Sequence, residues 1–367
     1  MTEFHPLRTT KQHYGSSQNW SSLNRLAEQI AKDVPSATMP TLDHISIKDY
    51  DHVYEPSDDT FLLIDAIQYD ILLSSSSNND SDDKNPAPST PSTIRQRRNR
   101  IHKIRNGLEI GCGSGVPIVY LGQALQRLHE EEEEADKQSE DGGEDSNGIN
   151  PVVQLFATDI NPYALNVAEQ TAIENGLLIA NKEMSTESIP PAAATTTTTT
   201  TANSAVGTHD DNSIPIIQLL QSDLGSAFLK ENATLSSNIT FDVILFNPPY
   251  VPTPDDEING NGIEISWAGG VNGRRIIDRF LLETSSTAEV DKGEPSKSHV
   301  SSSSSLSQLS NLLSKPNGIC YMITVDDNEP EELSVQLLKE QGLLMQPLLR
   351  RRACNEYLTV QKITWEI

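Results

Sequence analysis

The sequence predicts one α/β domain with a mostly parallel sheet of about seven strands, helices on both faces, and an antiparallel last strand pair. Three observations predict it. Strand-like apolar runs alternate with segments of helical periodicity, the order that builds a parallel sheet covered on both faces. The last two apolar runs lack a helix-length connection. Hydrophobic residues are only 36% of the 367 residues and the net charge is −25, so the apolar runs are diluted by stretches that bury little.

Residues 1–40 read as a polar extension, with Leu23, Leu26, Ile30 and Val34 at helical spacing over 21–34. A helix over 60–72 follows Ser57, Asp58 and Asp59, all good N-cap residues. Strands are expected at 107–111, 152–158, 214–220, 241–246, 317–325, 343–350 and 356–365. Helices are expected between them at 116–128, 162–175, 273–283 and 331–341. Only the Arg350–Arg352 turn separates the last two strands. A parallel crossover needs a dozen or so residues, so that pair is antiparallel.

Residues 74–100, 129–150, 181–213 and 284–308 are low-complexity inserts, including the Thr195–Thr201 and Ser301–Ser305 runs. Without them and the first 40 residues about 220 remain, which suits a single domain over 41–367 interrupted by inserts. The insert 129–150 carries ten acids against Lys137. With few apolar groups to bury, the last three inserts should tolerate shortening, because loop closure depends weakly on length.

The acidity argues against a protein that holds nucleic acid mainly through its phosphates, although Arg95, Arg97, Arg98 and Arg100 form a local basic patch. Cys112, Cys320 and Cys354 are far apart and lack a C-x-x-C pair. Neither a disulfide framework nor a metal site is expected, and reduced thiols fit a cytoplasmic or nuclear compartment. The N-terminal stretch has no apolar core of a signal peptide, and no apolar run is long enough to span a membrane.

Four segments carry chemistry. In Leu108-Glu109-Ile110-Gly111-Cys112-Gly113-Ser114-Gly115 a strand ends in glycines and opens a helix, so backbone amides can approach a ligand closely. The spacing differs from the dinucleotide pattern. With Glu109 beside it, the loop suits a ligand bearing an amino-acid moiety, and S-adenosylmethionine (AdoMet) is one. Asp159 ends the second strand, where an acid can accept both ribose hydroxyls; Asn161 before Pro162 supplies an N-cap. Asp223 and Leu224 follow the third strand, placing an acceptor for the adenine amino group beside an apolar side chain. Asn247-Pro248-Pro249-Tyr250 follows a buried strand. The prolines fix φ and remove donors, so a carbonyl and the Asn247 side-chain oxygen can both accept from one planar NH2 group while Tyr250 stacks on it.

Together these motifs resemble class I (Rossmann-like) AdoMet-dependent methyltransferases that modify a planar nitrogen. Val53–Leu63, Glu264–Arg274 and Thr324–Glu332 narrow the resemblance to the eukaryotic HemK-like glutamine methyltransferases, catalytic subunits that modify the class I translation termination factor. It spans roughly residues 50–367 apart from the inserts. The resemblance implies AdoMet contacts at Thr60, Glu109, Gly111, Gly113, Asp159, Asp223, Leu224 and Asn247, and catalysis at Asn247, Pro248, Pro249 and Tyr250. Cys112 stands where relatives often have serine.

The implied reaction is methylation of the glutamine amide in the Gly-Gly-Gln motif of the termination factor. Methylation of an amino group on adenine or guanine, or of a protein lysine, is the alternative. The implied partner is a small zinc-binding activator. In the strand order expected for this fold, 3-2-1-4-5-7-6, strand 214–220 lies at a bare apolar edge, where a strand of that activator would add. The lone chain should then be poorly soluble, and Ile217→Lys should abolish the complex.

Overall fold

The structure is a computed structural model that describes residues 17–34, 36–73, 104–138, 153–180, 215–229, 239–254, 257, 262–283 and 306–366. The insert at 74–100 lies outside the described residues, as do 139–150 of the second insert, the whole of 181–213, and 284–305 of the fourth.

The strands are β1 (Asn106–Ile110), β2 (Gln154–Asp159), β3 (Leu178–Ile179), β4 (Ile216–Gln221), β5 (Val243–Phe246), β6 (Ile319–Thr324), β7 (Leu343–Ala353) and β8 (Glu356–Trp365). The helices are α1 (Ser17–Asp33), α2 (Asp58–Ile67), α3 (Val116–Gln138), α4 (Pro162–Glu174), α5 (Arg275–Leu281), α6 (Gln308–Leu312) and α7 (Pro330–Gln341). One sheet holds all eight strands in the order β3-β4-β2-β1-β5-β6-β8-β7. The first six pair in parallel, and β8 is antiparallel to both β6 and β7. This is the mostly parallel sheet with an antiparallel last strand pair expected from the sequence, with one short strand added. All four residues of β5 are buried, as are the last four of β1. Strands buried on both faces read as continuous apolar runs, which is why they were legible.

Several boundaries differ from the sequence reading, each for a local reason. Helix α3 does not stop at 128 but continues through the acidic run to Gln138. Glutamate is a strong helix former, and Gln126 donates to Glu130 one turn on at 3.2 Å. Arg350–Arg352 are strand residues, and the turn is Cys354–Asn355. The arginines are tolerated in β7 because Arg350 pairs with Asp326 at 2.8 Å and Arg351 with Asp65 at 2.9 Å. The end of the fourth insert is structured: Ser307 is fully buried, caps α6 by accepting from Ser310 N–H at 3.2 Å, and donates its own N–H to Gln341 at 3.2 Å. Shortening that insert should therefore stop before Leu306.

The third-strand edge also differs. β4 runs 216–221, and β3 covers its beginning. Ile217 is fully buried in the core, so Ile217→Lys would damage the fold rather than probe an edge. A continuous apolar run does not reveal which alternate residues face inward.

Helix α1 lies against β7, with Leu23, Ala27 and Ala31 buried. The chain then runs as a strap along α4 towards the C-terminal ends of the strands. Thr41 and Asn175 exchange hydrogen bonds of 2.9 Å, His44 bonds Thr171 at 3.0 Å, and Tyr163 donates to Asp49. Asn161 donates to the His52 carbonyl at 2.8 Å, and Val53 packs with Ala164 and Val167. Among the described residues no helix is long and apolar enough to cross a membrane.

Candidate active site

A cleft of about 1070 Å³ opens at the C-terminal ends of β1, β2, β4 and β5. The strand order reverses at β1, and open α/β sheets bind ligands at such a switch point. Every sequence-predicted site residue lines this cleft: Thr60, Glu109, Gly111, Gly113, Asp159, Asp223, Leu224 and Asn247–Tyr250.

The glycine loop leaves β1 with Gly111, Gly113 and Gly115 at φ of 62°, 51° and 76°. Gly115 has a packing reason as well. A Cβ there would lie 2.8 Å from the Ala168 Cβ, so any larger residue pushes α3 away from α4. Around Gly111 a Cβ would meet nothing within 4 Å, so this stretch of backbone faces open space in the cleft.

The two acids of the loop region are fixed by backbone donors. Asp159 accepts from Gly113 N–H at 2.9 Å and from Asn161 N–H at 2.8 Å. Asn161 in turn caps α4, accepting from Tyr163 N–H at 2.9 Å with Pro162 in the first turn. Glu109 is 2% exposed and accepts from Ile118 N–H at 3.0 Å. Burial pushes the Glu109 carboxyl well above the usual carboxylate range, and the nearby charge of Asp159 adds to this. Burial also raises Asp159, against the lowering effect of its backbone donors. An uncompensated acid pair in a buried cleft fits a cationic ligand. AdoMet bears a sulfonium and an ammonium, and the open glycine backbone leaves room beside the pair for its amino-acid end. These residues therefore fit AdoMet, with Glu109, Gly111, Gly113 and Asp159 as the groups that would hold it.

The sign of the pH dependence follows. Raised folded pKa values mean that protonation of Glu109 and Asp159 stabilises the ligand-free fold. That stability is complete below their ordinary values of about 4 and is lost as pH rises through the shifted ones. A cation restores the ionised forms, so AdoMet binding should release protons and tighten with pH. The rise in melting temperature on adding AdoMet should grow as pH rises above the ordinary carboxylate range. A constant or shrinking rise would contradict the charge pairing.

The sequence reading missed the partners of three predicted residues. Asp223 is not a free acceptor, because Arg279 of α5 holds its Oδ2 at 2.6 Å. The Thr60 hydroxyl accepts from Ser57 N–H at 3.4 Å and donates to Asp59 at 3.3 Å, inside the first turn of α2. Tyr250 donates its hydroxyl to Asp59 Oδ2 at 3.0 Å. Ser57 supplies the N-cap of α2, whereas the buried Asp59 collects bonds from Tyr54 at 3.0 Å, Ser57 at 3.0 Å and Thr60 N–H at 2.7 Å. The Tyr54 hydroxyl is pushed up to about 12, and Tyr250 is raised too, in both cases mainly by burial with the charge of Asp59 contributing. Both therefore stay protonated and serve as donors. Asp59 had only a capping signal in the sequence, since Tyr250, the partner that ties it to the cleft turn, lies 191 residues away.

Asn247 directly follows β5, and its Oδ1 is buried and accepts no hydrogen bond. Buried polar atoms are normally satisfied, so such an orphan calls for an explanation. Asn247 is among the residues that line the cleft, beside Pro248 and Pro249, neither of which has an N–H to offer that oxygen.

No protein-family model matches the chain. The human methyltransferase HEMK2 is 26% identical over 321 residues, 88% of this chain and 94% of that protein. The catalytic subunit Mtq2 of the eRF1 methyltransferase of Schizosaccharomyces pombe is 23% identical over 328 residues, 88% of this chain and 94% of that protein. Among solved structures, the E. cuniculi Mtq2–Trm112 complex is 18% identical, covering 85% of this chain and 98% of that chain with a TM-score of 0.36, a likeness too small to carry weight. Over 88% of its length the chain is thus similar in sequence to the methyltransferases HEMK2 and Mtq2.

Proposed function

We propose that this chain is the catalytic subunit of an AdoMet-dependent protein methyltransferase whose acceptor is the glutamine amide in the Gly-Gly-Gln motif of the class I translation termination factor. The observation that carries the reading is the buried, unsatisfied Oδ1 of Asn247 beside two prolines that have no N–H. An amide NH2 has two donors, and Asn247 Oδ1 with the Pro248 carbonyl supplies two acceptors. The name of the fission-yeast relative supports the same substrate.

AdoMet supplies an electrophilic methyl group when bound. The chain's own task is placement. A glutamine amide nitrogen is a weak nucleophile because its lone pair is delocalised into the carbonyl. Accepting its two N–H bonds orients the nitrogen and stabilises the positive charge that grows on it as the new bond forms. Tyr250, anchored through its hydroxyl to Asp59, forms a wall of fixed orientation beside that nitrogen. The strap residues Asp51–Tyr54 line one wall of the same cleft. The proton left on the nitrogen afterwards is acidic and needs no strong base.

The test is mass spectrometry of the termination factor after incubation with labelled AdoMet. A methyl group on the Gly-Gly-Gln glutamine is expected. Label on a lysine or on nucleic acid instead would overturn the reading.

The partner proposed is a small zinc-binding activator that adds a strand to β4. The name "catalytic subunit" in the relative supports a second subunit. The β4 edge supports where it sits. Leu178 and Ala180 N–H bond the outward carbonyls of Pro215 and Ile217, and among the described residues no strand continues beyond Ala180. By alternation Leu219 and Gln221 direct their backbone groups to that open edge. Leu219→Pro removes one outward donor and leaves the β2 side intact, a position where edge strands tolerate proline. The variant should fold yet fail to co-purify with the activator, and an unchanged complex would exclude this edge.

A further inference from the structure

Asn328 is fully buried in the turn after β6, outside the residues that line the cleft. Three of the four hydrogen-bonding positions of its side chain are filled. Oδ1 accepts from Val325 N–H at 2.8 Å, and Nδ2 donates to the Tyr250 carbonyl at 2.8 Å and to the Asn272 carbonyl at 2.9 Å. One amide thus ties together the end of β6, the exit of the Asn-Pro-Pro-Tyr turn and the glycine-rich loop before α5.

That loop closes on the same turn. Val251 N–H bonds the Trp267 carbonyl at 3.0 Å, and Gly269 N–H bonds the Val251 carbonyl at 2.8 Å. At Gly273, where φ is +65°, an added Cβ would come within 1.8 Å of the Tyr250 carbonyl oxygen and 2.6 Å of Asn328 Nδ2. Only glycine permits the approach that lets Asn328 reach Tyr250. The turn itself has few soft torsions, because Pro248 and Pro249 fix φ. A displacement of the Tyr250 carbonyl is therefore passed back along the prolines instead of being absorbed.

We propose that Asn328 is a positioning residue for methyl transfer, fixing the far end of the turn and so setting where the Asn247 Oδ1 and Pro248 carbonyl acceptors point. This rests on the reading that these two atoms orient the acceptor nitrogen. It requires no particular acceptor molecule.

The experiment compares Asn328→Ala and Asn328→Asp with the wild type in the activator complex. Three readouts are taken: AdoMet affinity by calorimetry, kcat on the acceptor that the wild type methylates, and the crystal structure of each variant. Asn328→Ala should keep wild-type AdoMet affinity and lose about 10²-fold in kcat, the scale expected of a misplacement near 1 Å. Its crystal structure should show the Tyr250 carbonyl and the Asn247 amide displaced. Asn328→Asp keeps the acceptor for Val325, and once protonated it can donate to one carbonyl, so its kcat relative to wild type should rise as pH falls. If the alanine variant fails to fold, the aspartate variant at low and neutral pH carries the same comparison. Unchanged kcat in a folded variant, an undisturbed Asn247–Tyr250 turn, or AdoMet affinity falling in step with kcat would overturn the proposal. Should the wild type prove to methylate something other than a glutamine, the substrate reading fails alone, and the variants are compared on that acceptor.

Discussion

Replacing Asn247 with alanine should lower methyl transfer by about 10²–10³-fold while AdoMet still binds appreciably, the loss seen when one oriented charge-stabilising contact is removed. The residue directly follows β5, and its Oδ1 is buried with no partner. In the unliganded protein that oxygen stabilises nothing, so its loss should leave the melting temperature unchanged or slightly higher. The combination is diagnostic: a catalytic loss without a folding loss. The carboxylates that face the other end of the cleft, Glu109 and Asp159, remain in place. Turnover above about a tenth of wild type would remove Asn247 from the role assigned to it. Asn247→Asp sharpens the measurement. It keeps an acceptor but adds a charge beside an already acidic cleft, and should be nearly as damaging at neutral pH.

Asp159→Ala should weaken AdoMet binding by about 2–3 kcal/mol, the value of charge-assisted hydrogen bonds to two hydroxyls, which corresponds to roughly 30- to 150-fold in Kd. The geometry adds a reason beyond direct contact. Asp159 holds Gly113 N–H and Asn161 N–H, so its removal also loosens the glycine loop that faces the cleft. Asp159→Asn separates the two effects, since an amide oxygen can still accept from one of these donors. Calorimetry giving wild-type affinity for Asp159→Ala would exclude both the direct contact and the bracing of the loop as contributions to binding.

What the sequence disclosed and what it withheld follow from distance along the chain. The glycine loop, Asp159 and Asn247–Tyr250 are local motifs, each at the end of a continuous apolar strand, and the structure gathers all of them at one cleft. The antiparallel β7–β8 pair was legible from the shortness of its connection. Asp59, Arg279 and Asn328 were not legible as site residues. Each matters through a partner between 56 and 191 residues away, and nothing in its immediate neighbours announces that partner. Strand β3 is two residues long, too short for any periodicity. Ile217 was misassigned to the outer edge because a strand apolar at nearly every position carries no face signal.

The strap has a consequence for the order in which the chain can be built. The walls of the cleft come from Asp51–Tyr54 at one extreme and from Arg275 and Arg279 at the other. During synthesis the strap emerges first, but its bonding partners Asn161, Tyr163, Thr171 and Asn175 exist only after more than a hundred further residues. The earliest-made wall is thus placed late, and no nascent chain shorter than Arg279 can hold the whole cleft. A bound cofactor consequently reports that synthesis has passed α5 and that the N-terminal segment has come back across α4, which makes ligand binding a signal that the chain is complete as far as α5.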